Sequence, residues 1–77
     1  MTREEFVKEF AEILGISPDR LHPDTELATF ETWDSVAYLS TMILFDERVG
    51  FAISPEVVAK AVTLTDLMKV AGDRLTN

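Results

Sequence analysis

A chain of 77 residues has room for one domain, 1–77, with one core, and the absence of cysteine excludes disulfides, thiolate metal sites and a nucleophilic thiol. Fourteen acidic residues against seven basic ones, a net charge of −7, leave no basic stripe for nucleic acid or an anionic membrane and favour basic protein partners. The apolar fraction of 47% is enough to fold. No run is long enough to span a bilayer, and Met1-Thr2-Arg3-Glu4-Glu5 does not read as a signal peptide, so the expectation is a cytoplasmic monomer without membrane insertion.

Thr2 and Glu5 form a capping-box pair ahead of a helix predicted over Arg3–Leu14, with Gly15 as the natural residue past its end. Phe6, Phe10, Ile13 and Leu14 recur at helical spacing, while Glu4, Glu5, Lys8, Glu9 and Glu12 fall mostly on the other face. Ile16 to Trp33 reads as a long connection, broken by Pro18 and Pro23, with Asp19, Asp24 and Thr25 suited to turns. Ile16, Leu21, Leu27 and Phe30 have no place in a solvated loop, so this segment is predicted to cross the core, partly ordered, with a function or a short irregular helix.

A second helix is predicted over Ser35–Val49. Val36, Leu39, Met42, Ile43 and Val49 form its stripe, broadened by Tyr38 and Phe45, and few charges precede Asp46-Glu47-Arg48. It is therefore expected to be the most buried helix. Gly50 ends it, and Phe51-Ala52-Ile53 makes an apolar link. Ser54-Pro55-Glu56 starts a short helix over Pro55–Lys60. Thr63 and Asp66 open the last helix, whose stripe is Leu64, Leu67, Met68, Ala71 and Leu75. The fold expected is all-α: a small four-helix bundle with three longer helices and a short third one.

Ser35, in Phe30-Glu31-Thr32-Trp33-Asp34-Ser35-Val36, stands where loop gives way to helix. A hydroxyl there points to solvent, among unpaired backbone N–H groups and at the positive end of the helix dipole, a setting that favours a phosphate ester. The plainer local reading is that Ser35 or Asp34 is only an N-cap, worth about 1 kcal/mol. A self-sufficient serine hydrolase is not indicated. The single histidine, His22, lies in a loop, and no G-x-S-x-G elbow is present. His22 reads as a solvated loop residue. Asp24, Glu26, Asp34, Asp46 and Glu47 lack calcium-loop spacing, so no metal site is expected. Trp33 either anchors the loop to the second helix as core or walls whatever is attached at Ser35. Met42, Phe45 and Phe51 read as core.

Asp34-Ser35-Val36 resembles the Asp-Ser-Leu motif of acyl carrier proteins, and the likeness extends along the chain. A first amphipathic helix, a Pro-containing loop with Thr25-Glu26-Leu27, the motif serine, the run Asp46-Glu47-Arg48-Val49-Gly50-Phe51-Ala52-Ile53, a short third helix and a Thr-started fourth follow the family order. The resemblance implies a carrier without catalytic activity of its own. Ser35 would bear 4′-phosphopantetheine, placed there from coenzyme A by a phosphopantetheinyl transferase, and the arm's thiol would hold an acyl group as a thioester. An acyl ligase or acyltransferase would load it, and a downstream synthase or transferase would take the cargo. Asp34 matches the motif acid that meets the transferase, and Val36 the motif leucine. Ile43, with Asp46 and Glu47, falls where the family meets partners. Leu39 and Ile53 match positions near an acyl cleft between the second and third helices.

Where fatty-acid carriers usually place acids after the motif, this chain has Ala37 and Ser40, and only Glu31, Asp34, Asp46 and Glu47 supply acid nearby. Trp33-Asp34-Ser35-Val36-Ala37-Tyr38-Leu39-Ser40-Thr41 looks more like free-standing carriers of specialised polyketide, peptide or surface-glycan acylation pathways. The alternatives are an aminoacyl or peptidyl carrier, or an acidic helical interaction module that does not use the serine. One prediction follows from charge alone. At −7 the folded chain repels itself, so added salt or Mg²⁺ should raise the melting temperature by screening. An unchanged or lower midpoint across a salt titration contradicts this account.

Overall fold

In the computed structural model, which describes residues 1–77, reciprocal bonds open the first helix. Thr2 Oγ1 accepts from the Glu5 N–H at 3.0 Å, and Glu5 Oε1 accepts from the Thr2 N–H at 2.8 Å. This helix, α1, spans Arg3–Leu14 and ends at Gly15, whose φ of 71° suits a residue without a Cβ. Helix α2 spans Ser35–Leu44 and continues as a five-residue π turn, Phe45–Val49, to Gly50. Ser54 caps α3, Pro55–Lys60. Thr63 and Asp66 form the capping box of α4, Leu64–Ala71. The four helices stand in the predicted order and make an acyl carrier protein-like bundle. No helix is long and apolar enough to cross a membrane.

Phe6, Phe10, Phe45, Leu27, Val58 and Leu67 are fully buried. Phe6 meets Phe45 edge to face at 5.8 Å and lies parallel to Phe10 at 6.2 Å, so aromatic packing joins α1 to the end of α2. Arg48 on the π turn adds an ion pair with Glu9 on α1 at 2.7 Å, and a looser one with Glu5 at 4.0 Å. Arg48 and Glu5 are about half exposed and Glu9 less so, so the pairs fix orientation more than they add stability.

The long connection is ordered, as its apolar residues require. Pro18–Arg20 and Leu27–Thr29 form short 3₁₀ turns, Leu21 and Leu27 are buried, and Ile16 and Phe30 are half-buried against the core. Backbone bonds fasten it to the start of α4: the Leu27 N–H donates to Val62 O at 2.8 Å, and the Thr65 N–H to Pro23 O at 3.0 Å. Glu26 and Thr63 form an antiparallel bridge there.

Two expectations fail. The stripe predicted to bury α2 splits: Val49 and the flanking Phe45 are buried, but Val36 is 71% exposed, Leu39 57% and Ile43 50%. The face turned inward carries Ala37, Thr41, Leu44, Phe45 and Val49. Helix α2 packs between α1 and α3. Small Ala37 and Thr41 permit close approach there, and the Thr41 hydroxyl satisfies itself on Ala37 O at 2.8 Å. A helix apolar on most sides carries no periodic signal of which face is buried. The second failure lies at the end of α4. The stripe reaching Leu75 is not helical throughout, because Gly72 (φ 55°, ψ −128°) ends α4 and a 3₁₀ turn, Gly72–Arg74, follows. Leu75 enters the core from extended backbone, held by a parallel bridge between Thr2 and Thr76.

The two capping carboxylates carry a pH signature. Bonds from the Val62 and Thr63 N–H groups hold the Asp66 carboxyl below its ordinary value of 3.8, and the Thr2 N–H does the same for Glu5, below 4.5. A group with a lowered folded pKa stabilises the fold above its unfolded pKa, and that contribution is lost as pH falls through the folded one. Asp66→Asn should therefore melt below wild type at neutral pH, with the difference shrinking as pH falls below the ordinary carboxylate range and through the lowered folded value of Asp66. Melting curves across that range check this; a difference independent of pH contradicts it.

Candidate functional site: the start of the second helix

The segment before α2 is fixed residue by residue. The Thr32 hydroxyl donates to Leu14 O at 2.8 Å, tying the loop to the end of α1. The Trp33 N–H reaches Phe30 O, and the Asp34 N–H reaches Thr32 O, each at 3.0 Å. Trp33 is half-buried, edge to face with Phe10 at 5.5 Å and with Tyr38 at 4.7 Å. Of the two sequence readings of Trp33, anchoring the loop to the second helix is met by its contact with Tyr38, and buried Phe10 ties it to α1 as well.

Asp34 is the N-cap. Its Oδ1 accepts from the Ala37 N–H at 3.0 Å, and its carbonyl from the Tyr38 N–H at 2.9 Å. Ser35 is therefore the first helical residue rather than the cap, and its exposed hydroxyl has no hydrogen-bond partner within the chain. The N–H groups of Ser35 and Val36 are likewise unpaired, as the first turn of a helix leaves them. No basic residue occurs between Phe30 and Thr41, while Glu31 and Asp34 are exposed.

The remaining candidates lie along α2 and its exit. Leu39 and Ile53, 14 residues apart in sequence, line one open groove of about 230 Å³ together with Met42, Ile43, Asp46 and Ala52. Asp46 and Glu47 are exposed on the π turn, and Ile43 stands exposed beside them on α2. Val36 is the most exposed large apolar residue of the chain. His22 is exposed, its backbone N–H bonded to Thr25 Oγ1 at 2.8 Å, and no hydrogen bond joins it to Ser35. Sequence reasoning missed the Thr32 tether and the Arg48–Glu9 pair. None of Thr32, Arg48 and Glu9 belongs to an apolar stripe, so no pattern announces these contacts.

A family model of the phosphopantetheine attachment site matches residues 4–70, from the first turn of α1 to the last turn of α4. The chain belongs to the acyl carrier protein family. Comparison with curated proteins and with solved structures finds no match. Members of this family carry 4′-phosphopantetheine covalently, and their carrier domains meet phosphopantetheinyl transferases and synthase enzymes. The family's domain is a carrier without catalytic activity of its own. This carrier's α2 thus combines an unengaged hydroxyl at its first residue with an outward apolar strip, Val36, Leu39 and Ile43, and an acidic exit at Asp46 and Glu47.

Proposed function

We propose that Ser35 is the attachment point of the 4′-phosphopantetheine arm, and that this carrier, acting as one domain over 1–77, delivers acyl groups to the enzymes of a specialised biosynthetic pathway. The observation that carries the reading is the free Ser35 hydroxyl. Asp34 has taken the capping role, so the serine is exposed and unbonded at the start of α2 in a chain of a phosphopantetheine-carrying family. Ser17 and Ser54 are by contrast engaged as caps.

The local chemistry suits the group. The unpaired Ser35 and Val36 N–H groups and the helix dipole favour a phosphodiester on the serine oxygen. Asp34 opposes that charge, but its carboxylate is drawn toward the Ala37 N–H by the cap. Once bound, the arm supplies a terminal thiol that holds an acyl group as a thioester, chemistry the cysteine-free chain lacks. Leu39, Met42, Ile43, Ala52 and Ile53 offer the cargo an apolar groove that begins one helical turn beyond Ser35. Asp34, Asp46 and Glu47 offer partners carboxylates around an apolar strip. Basic enzyme surfaces complement that pattern, and the charge speeds encounter more than it tightens binding.

Ala37 is buried against the core and meets no partner, so the neutral Ser40 on α2 alone supports a dedicated partner set rather than the general fatty-acid enzymes. A phosphopantetheinyl transferase, a loading ligase or acyltransferase, and a downstream synthase or transferase complete the cycle. Incubation with coenzyme A, Mg²⁺ and a permissive transferase should add one phosphopantetheine by intact-protein mass spectrometry. Ser35→Ala, which leaves the Asp34 cap in place, should take none. No adduct on the folded wild-type chain with several transferases contradicts the reading and favours an acidic interaction module.

A further inference from the structure

The chain has one tryptophan and one tyrosine, and both flank Ser35 in the sequence. Trp33 precedes the serine by two residues and Tyr38 follows it by three. Their ring centroids are 4.7 Å apart, with the rings inclined at 65°. Helical side chains lean toward the N-terminus of their helix, and contact with Trp33 draws the Tyr38 ring the same way, over the turn that carries Ser35. Behind the pair lies Phe10, fully buried and 5.5 Å from the indole. The Thr32 tether and the Asp34 cap hold the backbone on either side. Both rings are half-exposed, and neither the indole N–H nor the phenol makes a hydrogen bond within the chain.

We propose that Trp33 and Tyr38 form the seat for the first segment of the arm on Ser35, the pantoyl unit next to the phosphate. The inference rests on attachment at Ser35 and adds the residues that position the arm. The pantoyl unit has a quaternary carbon with two methyl groups, followed by a hydroxyl and an amide. Its methyls are an apolar knob one phosphodiester away from the serine oxygen. An aromatic face takes such a knob, while the indole N–H and the phenol stand ready for the hydroxyl and amide. Val36 is apolar and exposed, but it lies about 100° around the helix from Ser35. Tyr38 and Leu39 share the serine's face. Leu39 begins the groove, which leaves the aromatic pair for the segment nearest the phosphate. A seat already held by α1 and the cap loses little freedom when occupied. Trp33 and Tyr38 are positioning residues here, with no part in bond making.

The test is NMR on the chain before and after modification, with the adduct at Ser35 first verified by mass. The two pantoyl methyl resonances should lie upfield of their position in free phosphopantetheine, because protons over an aromatic face are shielded. They should show cross-relaxation to the indole and phenol ring protons. Tyr38→Phe keeps the ring and should keep the shift. Tyr38→Ala should return the methyls toward the free position and weaken the change in Trp33 emission that accompanies modification. Methyls at the free-arm position in wild type, or contacts to the Leu39 and Ile53 methyls instead, overturn the seat. Should Tyr38→Ala fail to fold, wild type and Tyr38→Phe decide the matter. A chain that takes no adduct defeats the attachment reading itself, whereas an adduct with unshifted methyls defeats only the seat.

Discussion

The wedge of Trp33 between Phe10 and Tyr38 decides where α2 begins, and the site depends on that starting point. With the indole held against buried Phe10, the next residue falls at the N-cap, and that residue is Asp34. Had the cap fallen one residue later, the Ser35 hydroxyl would have been turned onto a backbone N–H and withdrawn from chemistry. The Thr32 bond to Leu14 O adds a second tie to α1, so the register of the junction follows from tertiary contacts as well as local propensity. A loop of this length without such ties would leave the start of the helix free to fray.

The outward face of α2 is the other half of the design. Ala37 and Thr41 are small enough to bury the helix closely, which leaves Val36, Leu39 and Ile43 outside. Their exposure has a cost in solvation that a purely structural helix has no reason to bear. In a carrier of this family, whose work is to meet a succession of enzymes, an apolar strip edged by Asp46 and Glu47 has a use. The π turn at the end of the helix keeps Phe45 and Val49 in the core while directing Arg48 to Glu9, so that the acidic pair beside it stays in solvent.

The boundaries of the helices were legible because caps mark them. Thr2 with Glu5, Ser54 before Pro55, and Thr63 with Asp66 each perform the bonds that their spacing announces. Gly15 and Gly50 take the positive φ that a helix end requires. What was not legible is orientation. Leu39 and Ile43 fit a helical stripe as well as Ala37 and Thr41 do, and only packing against α1 and α3 chooses between them. Leu75 kept helical spacing with Ala71 by coincidence, and Gly72 in the intervening turn was the signal to the contrary. At the site, the motif around Ser35 was visible. The assignment of the cap to Asp34 and the pairing of Trp33 with Tyr38 depend on three-dimensional packing.

The central claim is that the group this family carries is held by one particular oxygen. The most direct measurement is tandem mass spectrometry of the chain recovered from its native host, with fragment ions that localise the phosphopantetheine. The account predicts fragments that place it on Ser35 alone. Localisation to Ser17, Ser40 or Ser54 would contradict the account, as would a fully unmodified chain recovered alongside an active transferase.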